Sequence, residues 1–202
     1  MQMTGSIEVV AVAHQRIGEL LVFVQSWVNQ SADNWMLTVI HDGPSVEFEQ
    51  VMSEFAKQMP TKIKYVCTES RFNDYGHSLR QIGIDQASQD YLLLTNADNY
   101  FIPRAVEILN TKIGEADVIM FDMVHSHNAP GGRNLPCYSY FETSCARNSI
   151  DVSAAIVKTE LCKKVGFRDK GFAGDATYFE DILLSGPNLM LAKLPHILFV
   201  HN

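Results

Sequence analysis

The segment Tyr91-Leu92-Leu93-Leu94-Thr95-Asn96-Ala97-Asp98-Asn99 places a short apolar run directly before a polar, acidic turn. An apolar run of this length, ended by turn residues, is typical of a strand buried on both faces of a parallel sheet. Ligands of such sheets bind beyond the carboxyl ends of the strands. Asp98 therefore stands where a ligand is expected, and its carboxylate suits Mg²⁺ or Mn²⁺, which prefer oxygen ligands. In the alternative interpretation, Asp98 or Asn99 caps the following helix.

On both sides of this segment, apolar runs of strand length alternate with segments of helical period. This alternation predicts an α/β fold with a mostly parallel central sheet flanked by helices. The predicted strands span residues 7–13, 36–40, 62–67, 91–95, 117–124 and 151–157, with one more near the C-terminus. The predicted helices span residues 20–30, 46–59, 76–88, 104–112 and 177–184, with a short one near Glu160. Since no linker, repeat or low-complexity segment is visible, residues 1–202 are expected to form a single domain, in which residues 125–147 form a long loop or a covering flap.

The composition narrows the classes of function. A chain of 202 residues with 47% apolar and 19% charged residues is long enough and apolar enough for one globular core. The net charge of −7 and the absence of a Lys/Arg run argue against a nucleic-acid partner. No apolar stretch has the length of a transmembrane segment, no secretory signal is visible, and the four cysteines are scattered. A cytoplasmic protein is expected, with the inner face of the membrane as a second place of action on lipid-linked substrates.

A second acidic turn, His41-Asp42-Gly43-Pro44-Ser45, follows the predicted strand 36–40. Because the carboxyl ends of parallel strands meet at one edge of the sheet, Asp42 is a candidate for the same ligand site as Asp98. Asp-Gly and Pro are also ordinary turn residues, so a purely structural role for Asp42 stays open at this point.

In their order along the chain, several segments resemble the motifs of family-two glycosyltransferases of the GT-A fold, which is Rossmann-like. Five motifs of that family have counterparts here. They are a strand that ends in acids, a helix with a glycine and an arginine, the DxD turn, a Gly-Phe-acid turn, and a closing strand that ends in His. The matching segments are 34–43, Asp74-Tyr75-Gly76 with Arg80 and Gly83-Ile84, Thr95-Asn96-Ala97-Asp98 with Pro103, Val165-Gly166-Phe167-Arg168-Asp169, and Val200-His201.

The resemblance implies an activity and a donor site. It implies transfer of a sugar from a nucleoside diphosphate-sugar, expected to be a UDP-sugar, to the hydroxyl of a saccharide or lipid-linked acceptor, with inversion at the anomeric carbon. Mn²⁺ or Mg²⁺ would bridge the two phosphates and assist departure of the nucleoside diphosphate. The nucleotide would be bound by Asp42, Arg71, Arg80 and Asn96, and the metal by Asp98 with His201 as a second ligand.

Three acidic residues are candidates for the general base that takes the proton from the acceptor hydroxyl: Asp175, Glu180 and Asp181. Thr177 and Glu180 have the spacing of a capping box, which gives Glu180 a structural role. Asp175 would then lie in the loop before the helix, facing the cleft. If the helix begins earlier, Asp175 is itself the cap and Asp181 becomes the better candidate.

Departures from the family pattern motivate a second hypothesis. His41 replaces the first acid of its turn, Asn96 replaces the first acid of the DxD motif, and Gln81 stands where the family has Asn. The alternative function is therefore a catalytically inactive nucleotide-sugar-binding module of the same fold. A sugar nucleotidylyltransferase and a dinucleotide dehydrogenase are not supported, because no glycine-rich phosphate loop follows the first strand. His125 and His127 could also form a metal pair, but beside a loop they are more often solvated.

Overall fold

The computed structural model describes residues 5–202, and these form an α/β domain with one continuous sheet. Its strands are β1 (Ile7–Ala13), β2 (Trp35–His41), β3 (Ile63–Cys67), β4 (Tyr91–Asn96), β5 (Tyr100–Phe101), β6 (Val118–His125), β7 (Ser139–Phe141), β8 (Ala155–Lys158) and β9 (Leu191–His201). Its helices are α1 (Ile17–Val28), α2 (Val46–Gln58), α3 (His77–Gln86), α4 (Ala105–Leu109), α5 (Thr159–Val165) and α6 (Gly174–Leu184). Short 3₁₀ turns lie at Pro130–Gly132 and Val152–Ala154. None of the helices within residues 5–202 is long and apolar enough to cross a membrane.

The strands are ordered β3-β2-β1-β4-β8-β6-β9-β5, with β7 paired to β6. The long pairings, β3 with β2, β2 with β1, β1 with β4 and β6 with β9, are parallel. The antiparallel pairings join only two or three residues of each strand. The predicted α/β fold with a mostly parallel sheet is therefore confirmed, and the antiparallel contacts are concentrated in the half of the sheet beyond β4.

Helices cover both faces of the sheet, as predicted. Along β1, Val9 and Ala11 face one apolar core while Val10 and Val12 face the other, because successive side chains of a strand alternate between its faces. Buried residues of α1 and α2 belong to the first core, and those of α3, α5 and α6 to the second. This double burial explains why β1 and β4 are almost continuously apolar.

Several predicted boundaries differ from the structure; α1, for example, spans Ile17–Val28 where residues 20–30 were expected, and three further elements differ as follows. The helix predicted over 104–112 is only the short α4, because the chain turns after Leu109 and reaches Gly114 with φ +87°. The helix predicted from residue 177 begins three residues earlier, at Gly174. The strand predicted over 151–157 starts with a 3₁₀ turn, which Asp151 caps by accepting a hydrogen bond from Ser153 N at 2.8 Å.

The segment 125–147 contains more regular structure than a plain loop. β7 returns antiparallel to β6 within it. The buried Asp122 of β6 fixes this hairpin by accepting hydrogen bonds from Thr143 N and Tyr140 Oη, each at 2.9 Å, and it also pairs with Lys193 of β9. The hairpin is thereby attached to two neighbouring strands.

The register between β6 and β9 is interrupted by a bulge. Phe121 pairs with Leu194, but the next residue, Asp122, pairs with Ile197, and Met123 with Phe199. Pro195 lies in the first interruption, where a residue without an N–H is tolerated in a strand. Beyond the bulge the pairing continues until His125 lies opposite His201.

Candidate active site

The carboxyl ends of β1, β2 and β4 open into a pocket of about 410 Å³. This volume falls in the range that is usual for small-molecule sites. The pocket occupies the edge of the sheet at which the sequence predicts a ligand. Its lining consists of Val12, Ala13, His14, Gln15, Arg16, Asp42, Arg71, Asn73, Tyr75, Gly76, Leu79, Asn96, Ala97 and Asp98.

Asp98 lies in the pocket on the turn that follows β4. Arg16, in the left-handed conformation before α1, donates from Nη1 to Asp98 Oδ2 at 2.8 Å. The other carboxylate oxygen, Oδ1, is buried and has no hydrogen-bond partner among the described residues. Burial raises the pKa of Asp98, while Arg16 and His201 act in the opposite direction. A buried carboxylate oxygen without a partner is a position that a cation would satisfy.

The capping alternative for this turn is wrong. The next helix, α4, begins at Ala105, and its N-cap residue Arg104 makes no side-chain cap hydrogen bond. Asn99 instead donates to Thr95 Oγ1 at 3.1 Å and to Ser153 Oγ at 3.0 Å, and its oxygen accepts from Asn202 N at 3.1 Å. Asn99 therefore ties the turn to neighbouring segments.

Asp42 and Arg71 line the opposite wall of the pocket. The Asp42 carboxylate accepts hydrogen bonds from Phe72 N at 2.8 Å and Asn73 N at 3.1 Å, and Arg71 Nε lies 3.7 Å from Asp42 Oδ2. Asp42 thus holds the loop that precedes α3 while facing the pocket. Arg71 is about half exposed, which leaves its guanidinium accessible to a ligand.

Arg80 is buried beneath the pocket and is not part of its lining. Its Nη2 donates to Asn96 Oδ1 at 2.6 Å, and its Nη1 donates to the carbonyl of Tyr75 at 2.8 Å. Asn96, which does line the pocket, is therefore held by an arginine from α3. A direct contact of Arg80 with a nucleotide stays a prediction.

His201 lies next to the site among three carboxylates, those of Asp151, Asp98 and Asp175. Its Nε2 is 3.4 Å from Asp151 Oδ2, and its Nδ1 is buried and makes no hydrogen bond within residues 5–202. Burial alone would lower the pKa of His201, but Asp151, Asp98 and Asp175 together raise it. Burial would likewise raise the pKa of Asp151, and the charge and hydrogen bond of His201 reverse that shift. Each partner thus favours the charged form of the other.

The three base candidates occupy different surroundings. Asp175 lies in the first turn of α6, and burial raises its pKa to about 6 against the opposing charge of Arg80. Asp181 forms a two-pronged ion pair with Arg168 at 2.6 and 3.1 Å. Glu180 does the same with Arg147 at 2.7 and 3.0 Å. Of the three, the structure brings Asp175 together with Asp151 and His201.

The capping-box prediction for Thr177 and Glu180 is wrong, because α6 begins before both residues. Thr177 Oγ1 donates instead to Asp169 Oδ2 at 2.8 Å. Asp175 is not the N-cap residue either, since Ala173 occupies that position without a side-chain cap bond. The condition that favoured Asp181 is therefore only half met: the helix does begin earlier, but Asp175 remains free of a capping role.

Histidines 125, 127 and 201 gather at the ends of β6 and β9. The rings of His125 and His201 stack with centroids 4.4 Å apart, and His127 lies 5.2 Å from His125. Burial, followed by the charge of His201, lowers the pKa of His125 to about 4.

Within residues 5–202, no group of three or more His, Cys, Asp or Glu side chains has the arrangement of a metal site. A metal at Asp98 would therefore need ligands from a bound molecule.

Three residues outside the predicted donor-binding, metal-binding and base residues complete the site. Asp151 orients His201, Arg16 pairs with Asp98, and His77 contacts Arg80 with its Nδ1 3.0 Å from Nη1. For Asp151, the local sequence signal was Asp151-Val152-Ser153, whose spacing is typical of a side-chain cap. The contacts of Asp151 with His201 and of Arg16 with Asp98 join residues far apart in the chain, so no short sequence pattern predicts them.

The comparisons with known proteins concern the family and the fold of the chain. The family described as Glycosyl transferase family 2 matches residues 8–175. A search of curated proteins gave no significant match.

Solved structures share the fold across almost the whole chain. The S. aureus protein TarS, residues 1–349, in complex with UDP-GlcNAc superimposes with a TM-score of 0.77 at 16% identity, covering 97% of this chain and 58% of that one. The same TarS fragment in complex with UDP gives 0.78 at 14% identity, over 97% and 60%. The mannosyltransferase PcManGT from Pyrobaculum calidifontis, in complex with GDP-Man and Mn²⁺, gives 0.72 at 12% identity, over 98% and 56%. The chain thus spans about 60% of the length of these structures.

Proposed function

The chain belongs to glycosyl transferase family 2, and we propose that it transfers a sugar from a UDP-sugar to an acceptor hydroxyl with the help of Mn²⁺ or Mg²⁺. The observation that carries the proposal is Asp98 Oδ1, a buried carboxylate oxygen that finds no hydrogen-bond partner in the described part of the chain and lies beside a pocket of about 410 Å³. A pocket of this size is large enough for a nucleotide. TarS binds UDP and UDP-GlcNAc, so UDP-GlcNAc is the first donor to test.

The residues present fit a divalent cation only in part. Asp98 would supply one oxygen and His201, through Nδ1, one nitrogen, while the diphosphate of the donor would supply further oxygen ligands. When bound, such a cation would neutralise charge on the departing diphosphate. Asn96, held by Arg80, would present an amide to the same phosphates without adding a negative charge.

Asp42 and Arg71 would bind the nucleoside side of the donor. Asp42 is already fixed by two backbone amides, which gives its carboxylate a defined direction towards a nucleobase. Arg71 is near enough to pair with Asp42 and exposed enough to contact a base or a phosphate. These groups and the Asp98 turn lie on different walls of one pocket, as a donor with two chemically different ends requires.

Asp175 would act as the general base. A carboxyl group with a pKa near 6 is ionised at neutral pH and is still basic enough to accept a proton. In the reaction the acceptor oxygen attacks the anomeric carbon, the bond from that carbon to the diphosphate breaks, and the hydroxyl proton passes to Asp175. Attack on the side opposite the leaving group inverts the anomeric configuration.

The acceptor side and the site of action belong to the same proposal. The hairpin at residues 125–147 would border the acceptor, which is a saccharide or a lipid-linked molecule. The protein would act in the cytoplasm or at the inner face of the membrane. An inactive nucleotide-sugar-binding module is the second candidate function, favoured by Asn96 in place of a charged ligand.

The test is binding of UDP measured by calorimetry with and without Mn²⁺. We expect Mn²⁺-dependent binding that Asp98→Ala reduces at least tenfold, whereas Asp33→Ala, at an exposed carboxylate paired only with Lys62, leaves it unchanged. If UDP binds equally well without Mn²⁺, and Asp98→Ala does not change the affinity, the proposed site is overturned. Mn²⁺-dependent binding without hydrolysis or transfer of UDP-GlcNAc or other UDP-sugars would favour the inactive module.

A further inference from the structure

We propose that His77 is a positioning residue that couples the two sides of the site, namely the strand end that carries Asn96 and Asp98 and the loop that leads into α6 and Asp175. The inference rests on the proposed function, because the two sides correspond to donor binding and to the catalytic base.

The ring of His77 bridges two segments through both of its nitrogens. Nδ1 lies 3.0 Å from Arg80 Nη1, and Nε2 lies 3.0 Å from the carbonyl oxygen of Gly171. A guanidinium only donates hydrogen bonds, so Nδ1 must accept, and Nε2 must then carry the proton that it donates to Gly171. A single neutral tautomer satisfies both contacts.

The bridge extends into the donor side through Arg80. The same guanidinium donates from Nη2 to Asn96 Oδ1 at 2.6 Å. Gly171, His77, Arg80 and Asn96 are therefore joined by three consecutive hydrogen bonds. Because Asn96 lines the pocket, this chain of contacts begins at the position where the diphosphate would bind.

The bridge extends into α6 through Asp169. Its Oδ1 accepts from Gly171 N at 2.9 Å and its Oδ2 accepts from Thr177 Oγ1 at 2.8 Å, so Gly171 is linked to the first turns of the helix. Lys170 Nζ adds a contact by donating to the carbonyl of His77 at 3.1 Å. The position of Asp175 thus depends on a loop that His77 holds.

Packing leaves the His77 ring little freedom. The ring is buried and stacks on Phe167 with centroids 4.7 Å apart and planes 22° apart. A Cβ added at Gly174, the first residue of α6, would lie 2.7 Å from His77 Nε2, so only glycine allows the helix to approach this closely. Burial, followed by the charge of Arg80, lowers the pKa of His77 to about 4, which keeps the ring neutral near pH 7.

The two ends of the bridge can be separated by substitution. His77→Phe keeps an aromatic ring on Phe167 and removes both hydrogen bonds. His77→Asn places an amide near the former Nδ1 and can restore acceptance from Arg80, whereas His77→Gln places an amide near Nε2 and can restore donation to Gly171. The substitutions thus test the donor side and the base side independently.

The experiment measures Kd for UDP in the presence of Mn²⁺ and kcat for hydrolysis of UDP-GlcNAc. We expect His77→Phe to lower kcat about tenfold and to raise Kd about threefold. We expect His77→Gln to restore kcat but not Kd, and His77→Asn to restore Kd but not kcat. If all three variants match the wild type, or if all three are equally impaired, the coupling is refuted.

Hydrogen exchange gives a second readout that does not depend on the folding of the His77 variants. Saturating UDP with Mn²⁺ should slow exchange of the amides of residues 169–177 in the wild type but not in Asn96→Ala, which cuts the bridge at its donor end. Equal protection in both proteins would overturn the coupling. A wild type that neither binds UDP nor hydrolyses the donor would instead overturn the proposed function.

Discussion

Arg16 Nη1 donates to Asp98 Oδ2 at 2.8 Å, so the carboxylate assigned to a cation already faces a positive charge. A cation that binds Asp98 must compete with this guanidinium or displace it. The arginine lies on the loop between β1 and α1, at the mouth of the pocket, where its side chain is more than half exposed. Its charge is therefore available to a bound diphosphate once it leaves Asp98.

Arg16→Gln is expected to tighten binding of Mn²⁺ in the absence of nucleotide. Removing one nearby positive charge at a partly exposed site is worth about 1 kcal/mol, or roughly fivefold in affinity. Free Mn²⁺ can be counted by electron paramagnetic resonance during a titration. Arg104→Gln is the matched control, because Arg104 pairs on the surface with Glu107 alone. Weaker Mn²⁺ binding by Arg16→Gln would show that the two charges do not compete.

Asp175→Asn is expected to reduce turnover of the donor by about 10²- to 10⁴-fold, the usual contribution of a general base. Binding of UDP should stay within about twofold of the wild type, because Asp175 does not line the donor pocket. Asp181→Asn serves as the control, since it loses only an exposed pair with Arg168 and should retain near-normal kcat. The reverse pattern would transfer the role of base to Asp181.

Two glycine substitutions should change stability in opposite directions. In Gly83→Ala the new Cβ would lie 2.3 Å from Val10 Cγ1, so α3 must move off β1, and we expect a loss of about 1–3 kcal/mol. In Gly18→Ala, in α1, the Cβ meets no atom within 4 Å, and the better helix propensity of alanine should stabilise the protein by about 0.5–1 kcal/mol. Urea unfolding measures both changes. A neutral Gly83→Ala would show that α3 is not closely packed on β1.

The free energy of unfolding should fall as the pH is lowered from 6.5 towards 4. His77 has a pKa near 4 in the folded protein and near 6.5 when unfolded, so within this window the unfolded state binds the additional proton. Stability must then rise with pH, by up to about 1.4 kcal/mol per pH unit from this residue. Urea unfolding at several pH values should give a flatter dependence for His77→Gln than for the wild type. Identical slopes in the wild type and His77→Gln would contradict the assignment.

The elements that the sequence predicts best are those whose signal is local. The apolar run of β1 predicts its bounds at residues 7 and 13 without error, and the turn after β4 marks Asp98 as a strand-end residue. β5 and β7 could not be predicted, because strands of two and three residues carry no periodicity and exist only through pairing with β9 and β6. The start of α6 was missed because Gly174 is a poor helix former, tolerated there because His77 leaves no room for a side chain.

The residues of the candidate site also differ in whether the local sequence predicts them. Asp42 directly follows β2 and Asn96 is the last residue of β4, so both could be identified from the sequence. The partners of His201 could not, since Asp151 is fifty residues away in the chain and meets it only through the fold. The ion pairs of Glu180 with Arg147 and of Asp181 with Arg168 also depend on tertiary contacts. For that reason the sequence could not distinguish the three candidates for the base. The structure shows that their surroundings differ.

The bulge in β9 determines which side chain lies opposite His125 at the end of β6. An uninterrupted register from Val118 opposite Leu191 would place Leu198, not His201, opposite His125. The three additional residues that β9 accommodates in this irregular stretch thus bring an imidazole, rather than an apolar side chain, opposite His125, and the length of the stretch sets the chemical character of the adjacent surface.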